Sequence, residues 1–203
     1  SLSNLTYLNL SNNDFTGDVW SSYSNLPNLE EIYVGHNNCN ISNTDFSGFS
    51  GLKSLDISKL NLTEIPASLG SLQKLSSLNV SNNAIVSFSN LSSLNQLQEL
   101  NLANNNLNKV PSEIINFISL KSLDLSNNII TDFSSLSNLI NLEWLSLENN
   151  SLQNIPNQVS NLQKLIHLNL GRNKINGSTS ILGTLNHLQQ LWLNHNKLSG
   201  NIP

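Results

Sequence analysis

One motif, Leu-x-x-Leu-x-Leu-x-x-Asn-x-Leu, recurs nine times in the 203 residues of this chain and constrains its fold more than any other feature. The copies begin near Leu5, Leu29, Leu52, Leu75, Leu97, Leu120, Leu142, Leu165 and Leu188. Successive starts lie 24, 23, 23, 22, 23, 22, 23 and 23 residues apart. A period this constant is typical of a solenoid, in which each repeat buries its apolar face against its neighbours. We therefore predict a single solenoid segment over residues 1–203.

The apolar positions of the motif predict one short strand in each repeat. Two leucines that flank one residue, as in Leu100-x-Leu102, have the period of a strand whose alternate side chains point into the core. Stacked strands of this kind form a parallel sheet, with about 4.8 Å between neighbours. Cys39, the one cysteine, falls at an apolar position, so we expect a buried thiol without an internal disulfide.

The asparagine of the motif is predicted to satisfy the backbone where the chain leaves each strand. A buried carboxamide both donates and accepts hydrogen bonds, so it replaces the partners that the turning backbone loses. Asparagine fills this position at Asn13, Asn37, Asn83, Asn105, Asn128, Asn150, Asn173 and Asn196. Leu60 stands there in the third repeat, where we expect an irregular turn.

The return segments between strands follow a second pattern. Ile65-Pro66, Val110-Pro111 and Ile155-Pro156 alternate with Phe88-Ser89 and Phe133-Ser134. Proline fixes φ and donates no backbone hydrogen bond, and a spacing near 23 residues leaves no room for a full helix. We predict extended or short 3-10 returns on the convex face.

The motif and its spacing resemble the leucine-rich-repeat family over essentially the whole chain. The terminal returns, Phe15-Thr16-Gly17-Asp18-Val19 and Leu198-Ser199-Gly200-Asn201-Ile202-Pro203, are similar to the Leu-x-Gly-x-Ile-Pro return of plant-type repeats, whose glycine the middle copies lack. The resemblance implies a leucine-rich-repeat solenoid with a parallel β-sheet on its concave face. Because no polar or cysteine-bearing flank covers either end, we expect an internal fragment of a longer array, uncapped at both ends and able to self-associate through them.

Composition and charge exclude two classes of partner. Charged residues make up 11% of the chain and the net charge is -4, without the basic stripe that a nucleic-acid ligand requires. No stretch reaches the roughly 18 consecutive apolar residues of a membrane span. We therefore expect no nucleic-acid partner and no direct membrane insertion in this segment.

The titratable residues are too dispersed for catalysis or metal binding. Strand geometry places His167 and His195 about 16 Å apart along the strand direction, too far to share a metal ion or a proton. The sequence contains no P-loop, His-Glu-x-x-His or Gly-x-Ser-x-Gly pattern. We predict that the protein is not an enzyme and that it binds no metal or cofactor.

Large side chains gather at outward positions toward the C-terminal end of the predicted concave face. They are Trp144, Glu148, His167, Arg172, Trp192 and His195. Tryptophan and arginine are enriched in binding hot spots, and strand geometry separates the two indoles by about 12 Å. These residues predict a ligand-binding surface, with padding of a repeat edge by the tryptophans as the competing interpretation.

A smaller group of candidate residues lies at the N-terminal end of the same face. Tyr33 and His36 are its candidate ligand-binding residues, beside Tyr7, Glu30 and Glu31. Repeats three to six carry mainly small polar or charged residues on the concave face, so we expect them to add little to binding.

Eight Asn-x-Ser/Thr sequons are candidate glycosylation sites. Their asparagines are Asn4, Asn9, Asn40, Asn61, Asn79, Asn90, Asn149 and Asn176. Asn9 and Asn79 point from the concave sheet, where a glycan would block ligand access.

The family resemblance favours a non-catalytic extracellular recognition module, secreted or at the cell surface, that binds a peptide, protein or glycan on its concave face. The alternative is a structural or adhesive solenoid, a fibre, wall or surface component, glycan-coated or bare and assembled end to end. A cytosolic scaffold is a third interpretation, which the scarcity of Lys and Glu disfavours.

Overall fold

The computed structural model describes residues 2–20, 23, 26–88 and 91–200, and its main element is a nine-stranded sheet. The strands of this sheet are β1 (Tyr7–Asn9), β3 (Glu31–Tyr33), β5 (Ser54–Asp56), β6 (Ser77–Asn79), β7 (Glu99–Asn101), β8 (Ser122–Asp124), β9 (Trp144–Ser146), β10 (His167–Asn169) and β11 (Gln190–Trp192). Two further strands, β2 (Thr16–Gly17) and β4 (Asn38–Cys39), pair with each other in the first two returns.

The strands of the large sheet are all parallel and keep the repeat in register. Each strand pairs with its neighbours in the repeats before and after it, and the central residues face each other across the sheet. Leu100, for example, lies opposite Leu78 on one side and Leu123 on the other. Each side chain on the outer face therefore has a neighbour at the same motif position one strand away.

Among the described residues, five short 3-10 helices form returns on the convex side. They are η1 (Ala67–Ser71), η2 (Ser112–Asn116), η3 (Ser134–Asn138), η4 (Asn157–Asn161) and η5 (Ser180–Thr184). Pro66, Pro111 and Pro156 precede η1, η2 and η4 with φ between -55° and -59°, so each proline sets the entry of a helix. The predicted solenoid with short returns is confirmed, while Ser89, Asn90 and residues 201–203 of two returns lie outside the described residues.

A single apolar core runs along the solenoid between the sheet and the returns. The inward leucines of the central strands, among them Leu123, Leu145 and Leu147, are completely buried. Cys39 is buried as predicted, and this burial raises the pKa of its thiol. Because each repeat contributes one layer of the core, neighbouring repeats supply most of one another's apolar contacts.

A ladder of buried or half-buried asparagine side chains joins each repeat from the second onward to the one before it, except in the third repeat, where Leu60 takes this position. The Asn105 Nδ2 donates to the carbonyl oxygens of Leu102 at 3.1 Å and of Val80, in the preceding repeat, at 3.2 Å. Its Oδ1 accepts from the backbone N–H of Ile85 at 3.0 Å. Asn128 repeats this arrangement one layer further along. The predicted donor and acceptor roles of the motif asparagine are therefore confirmed, and the bonds cross between repeats.

The residue before each ladder position has a left-handed backbone. These residues, with φ between 51° and 60°, are Asn12, His36, Lys59, Asn82, Asn104, Asn127, Asn149, Arg172 and His195. Asparagine tolerates this conformation better than most residues because its short polar side chain bonds locally. In three of the four other residues, His36, Lys59 and Arg172, the backbone N–H donates to a carbonyl of the next repeat, as Arg172 does to Asn194 at 2.9 Å.

The turn of the third repeat is irregular, as the leucine at position 60 predicts. Leu60 is buried, and Asn61 adds a second left-handed residue to the turn. The Asn83 Oδ1 of the next repeat accepts from the N–H groups of both Leu60, at 2.9 Å, and Leu62, at 3.0 Å. The seventh repeat has the same pair of hydrogen bonds, here from the N–H groups of Asn150 and Leu152 to the Asn173 Oδ1, and Ser151 is left-handed. This repeat nevertheless keeps its own ladder asparagine, Asn150. The missing asparagine is thus not the common cause of this turn form.

Replacement of a ladder asparagine by alanine should destabilise the fold strongly. Asn105→Ala leaves the Ile85 N–H and the carbonyls bonded to Asn105 without that partner, and we expect a loss of about 3 kcal/mol in the free energy of unfolding, measured by urea titration. Asn106→Ala, at the exposed adjacent residue, is the matched control and should change stability by less than about 0.5 kcal/mol. Equal effects of the two substitutions would contradict the ladder's role.

Candidate functional site

Strands β9 to β11 carry the largest outward side chains of the concave face. The parallel register sets His167 directly beside Trp144 and Asn169 directly beside Trp192. Trp192 is 39% exposed, while Trp144 and His167 are half-buried. Within the described part of the chain, neither indole makes a ring contact. The structure therefore brings Trp144, His167 and Trp192 together on one open surface.

An ion pair between Glu148 and Arg172 borders this surface. The Arg172 Nε lies 3.1 Å from the Glu148 Oε1, and the Asn169 Nδ2 donates to the Glu148 Oε2 at 2.9 Å. Both carboxylate oxygens thus have partners within the protein. Glu148 thus contacts both Asn169 and Arg172, and the Arg172 side chain remains 62% exposed.

The remaining candidates of this end lie at turns. Arg172 and His195 occupy the left-handed turn position of successive repeats, and both are exposed. His36 holds the same position in the second repeat. These three side chains therefore rise from the rim where the strands end, whereas the tryptophans stand on the sheet itself.

The N-terminal group is built around a pair of tyrosines. The rings of Tyr7 and Tyr33 have centroids 5.4 Å apart and are tilted by 41°. The Tyr33 hydroxyl donates to the Glu31 Oε2 at 2.9 Å and lies 3.3 Å from the Ser54 Oγ. The Ser54 contact lowers the pKa of Tyr33, but burial and the Glu31 carboxylate together outweigh it, so the pKa lies above the ordinary value of 10.0.

The middle of the concave face is less uniform than the sequence suggests. An open depression of about 370 Å³ lies on the side of Trp144 away from Trp192. We call it the Trp144 depression, and its polar and aromatic lining includes Asn79, Glu99, Asn101, Ser122, Asp124 and Trp144. Glu99 and Asp124 were not among the predicted site residues, because they line this depression only together with Trp144 of a neighbouring strand. Alignment of the repeats by motif position would have revealed them beside Trp144.

Other kinds of site are not seen in the described residues. Within 2–20, 23, 26–88 and 91–200, no three His, Cys, Asp or Glu side chains are grouped so as to hold a metal ion. Over the same ranges, no helix combines the length and apolarity needed to cross a bilayer.

The sequon asparagines differ in how freely their side chains face solvent. The exposed ones are Asn4, Asn9, Asn40, Asn61, Asn149 and Asn176. Asn79 is half-buried, and its Nδ2 donates to the Asp56 Oδ2 at 2.8 Å. Asn90 lies outside the described residues. A glycan attached to the Asn79 Nδ2 would disrupt this hydrogen bond on the concave sheet.

Comparison with protein families matches most of the chain. A family profile described as Leucine rich repeat matches residues 50–107 and 95–152, which together span 103 of the 203 residues. Profiles described as Leucine Rich repeats (2 copies) and Leucine Rich Repeat match residues 3–51 and 187–203. Among curated proteins, the Transforming growth factor beta activator LRRC33 of Danio rerio is 32% identical over 92 residues, which cover 40% of this chain and 13% of that protein.

Several solved structures are similar over nearly the whole chain. The internalin InlF of Listeria monocytogenes is 33% identical, with a TM-score of 0.85, and the match covers 98% of this chain and 57% of that one. The leucine-rich-repeat ectodomain of the Arabidopsis thaliana membrane receptor kinase GASSHO1/SCHENGEN3, in complex with CASPARIAN STRIP INTEGRITY FACTOR 2, is 31% identical, with a TM-score of 0.75 and coverages of 97% and 25%. The TLR13–ssRNA13 complex is 29% identical, with a TM-score of 0.80 and coverages of 94% and 29%. This chain therefore spans a part of each of these proteins.

The pKa of Tyr33 tests the local arrangement of the N-terminal group. Glu31→Gln removes the negative charge that opposes the phenolate and should lower this pKa, whereas Ser54→Ala removes a contact that favours the phenolate and should raise it. Ultraviolet titration of tyrosine ionisation measures both shifts, and Tyr33→Phe identifies the transition. Glu113→Gln, far along the chain in η2, is the charge-matched control and should leave the pKa unchanged. Shifts in the same direction for both variants would contradict the described contacts.

Proposed function

This chain belongs to the leucine-rich-repeat family, and we propose that it is a non-catalytic extracellular recognition module that binds a peptide, protein or glycan on its concave face. The proposed contact centres on Trp144, His167, Arg172 and Trp192.

The observation that carries this proposal is the arrangement of two unstacked indoles on one open sheet. Trp144 and Trp192 stand two strands apart, and His167 and Asn169 lie between them. The strand spacing separates the indoles by about 12 Å, which admits an extended peptide or a sugar ring. Exposed tryptophan that no core contact requires is costly to keep in water, and it supplies large contact area to a ligand.

The similar structures support a binding role outside the cell. The receptor-kinase ectodomain and TLR13 were each solved in a complex with another molecule, and the former belongs to a membrane receptor. Family likeness by itself does not assign a ligand. The choice of ligand class therefore rests on the surface of this chain.

The charge of the concave face favours a protein, peptide or glycan over a nucleic acid. Glu31, Asp56, Glu99 and Asp124 lie among the outward residues of the strands, which include no lysine or arginine in the nine-stranded sheet. A phosphate backbone would be repelled by these carboxylates. We propose a ligand that is neutral or positively charged where it meets the sheet.

Substitution of the indoles should weaken ligand binding without loss of the fold. The probe is a set of binders selected from a phage-displayed library of random short peptides, tested beside an array of defined glycans. Trp144→Ala and Trp192→Ala should each raise the Kd of selected binders about 30-fold, as expected for hot-spot residues. Ile118→Ala, which removes an exposed apolar side chain outside the sheet, is the control and should leave the Kd unchanged. If neither tryptophan substitution changes the Kd of the selected binders, the result would favour the structural or adhesive alternative.

The proposed extracellular location predicts N-linked glycans on the native protein. We expect the intact mass of protein purified from its source to fall after enzymatic removal of these glycans, with occupied sites among exposed asparagines such as Asn40 and Asn176. Peptide mapping of the deglycosylated protein identifies the sites. An unchanged mass would contradict secretion through a glycosylating pathway and favour a cytosolic scaffold.

A further inference from the structure

We propose that the Trp144 depression binds the cationic side chain of an arginine or lysine in a peptide or protein ligand. This inference rests on the proposed function, because it names the chemistry that the concave face recognises. It concerns the side of Trp144 toward β7 and β8, which is distinct from the slot between the two tryptophans.

The strand register brings the two acidic side chains of the depression close to Trp144. Ser122 is paired with Glu99 on one side and with Trp144 on the other. Because strands lie about 4.8 Å apart, Glu99 and Trp144 stand about 10 Å apart in one row, with Ser122 between them, and the depression continues past Glu99 to Ser77 and Asn79 of β6. Asp124, two residues beyond Ser122 on the same outward face, closes one end.

Each of the two carboxylates has one oxygen held in place and another that no side chain neutralises. The Glu99 Oε2 accepts from the Ser77 Oγ at 3.0 Å, and the Asp124 Oδ1 accepts from the backbone N–H of Ser126 at 2.9 Å. Among the described residues, the ion pairs join Lys53 to Glu30, Lys121 to Glu143 and Arg172 to Glu148. Glu99 and Asp124 therefore take part in none of them.

The Trp144 indole adds a second, independent feature that selects for a cation. It lines the depression and is half-buried, and no ring of the described residues contacts it. The face of an indole attracts ammonium and guanidinium groups, and the planar guanidinium also stacks on it. A hollow of about 370 Å³ has room for the side chain of one basic residue, and its indole and two oriented carboxylates are the groups that bind a cation.

The test uses a blocked Gly-Arg-Gly amide as the probe and the indole N–H signals in NMR as the measurement. We expect saturable shifts of the Trp144 signal, assigned with Trp144→Phe, and small shifts at Trp20, which is buried. The uncharged citrulline analogue should bind about tenfold more weakly, since it keeps the shape of arginine without its charge. Equal shifts with citrulline, or with a Gly-Glu-Gly amide, would overturn the proposal.

Charge-removing variants of the depression then locate the binding. Glu99→Gln and Asp124→Asn keep the oxygen that accepts from Ser77 or Ser126, so the fold should persist, and each should weaken the arginine probe about fivefold or more. Asp132→Asn is the matched control, because Asp132 likewise accepts the N–H two residues on, from Ser134 at 2.9 Å, but stands outside the sheet. It should leave binding unchanged.

The failure of this inference can be told apart from failure of the proposed function. If Glu99→Gln and Asp124→Asn leave probe binding unchanged, the cation site is overturned. The concave face is then judged by whether Trp144→Ala and Trp192→Ala weaken the selected binders. If neither tryptophan substitution changes the Kd of the selected binders, while Glu99→Gln and Asp124→Asn still weaken binding of the arginine probe, the cation site is supported and the proposed wider recognition surface is wrong.

Discussion

The asparagine ladder is the interaction on which the rest of the structure depends. The strands of the large sheet are only three residues long, so each makes few hydrogen bonds to its neighbours. At the end of each strand the backbone turns inward, and its polar groups lose their partners in the sheet. The carboxamides of Asn105, Asn128 and their counterparts close this gap with bonds that cross to the preceding repeat. Burial of these bonds makes each of them costly to lose, so the ladder acts together with the buried leucines to set the spacing and register of the repeats.

Fixed register turns the concave face into a grid of side chains, and binding chemistry arises from neighbours across strands. Trp144 stands beside His167 on one side and Ser122 on the other, although these residues are more than twenty positions apart in sequence. The same geometry ties Glu148 to Arg172 and Asn169, so that one carboxylate orients two side chains of the adjacent repeat. Specificity can therefore change through single outward residues while the inward leucines and the ladder remain constant.

The solenoid could be predicted well from the sequence because the same pattern of apolar positions recurs in every repeat. Leucine spacing, the ladder asparagine and the prolines before η1, η2 and η4 all point to one local structure, and the burial of Cys39 follows from its motif position. The candidate surface was predicted in part, since Trp144, His167 and Trp192 do share one face. The Trp144 depression, lined in part by Glu99 and Asp124, was not predicted, because a shallow hollow depends on the sizes of side chains on four neighbouring strands. The pair of hydrogen bonds that the seventh repeat donates to Asn173 was also not predicted, since this repeat keeps its own ladder asparagine and its motif does not differ from that of the other repeats.

The pairing of β2 with β4 affects the shape of the array. The 3-10 helices η2 to η5 lie side by side in four consecutive returns, and we expect their projecting side chains to hold them further apart than hydrogen-bonded strands. A wider spacing on the outside than on the inside bends the stack into an arc. Between the first two repeats both sides are hydrogen-bonded strands, for which about the same 4.8 Å spacing is typical, so we expect less curvature there. We therefore expect the array to be straighter around Tyr7 and Tyr33 than around Trp144 and Trp192, so that a rigid elongated partner would meet a flatter surface at one end than at the other.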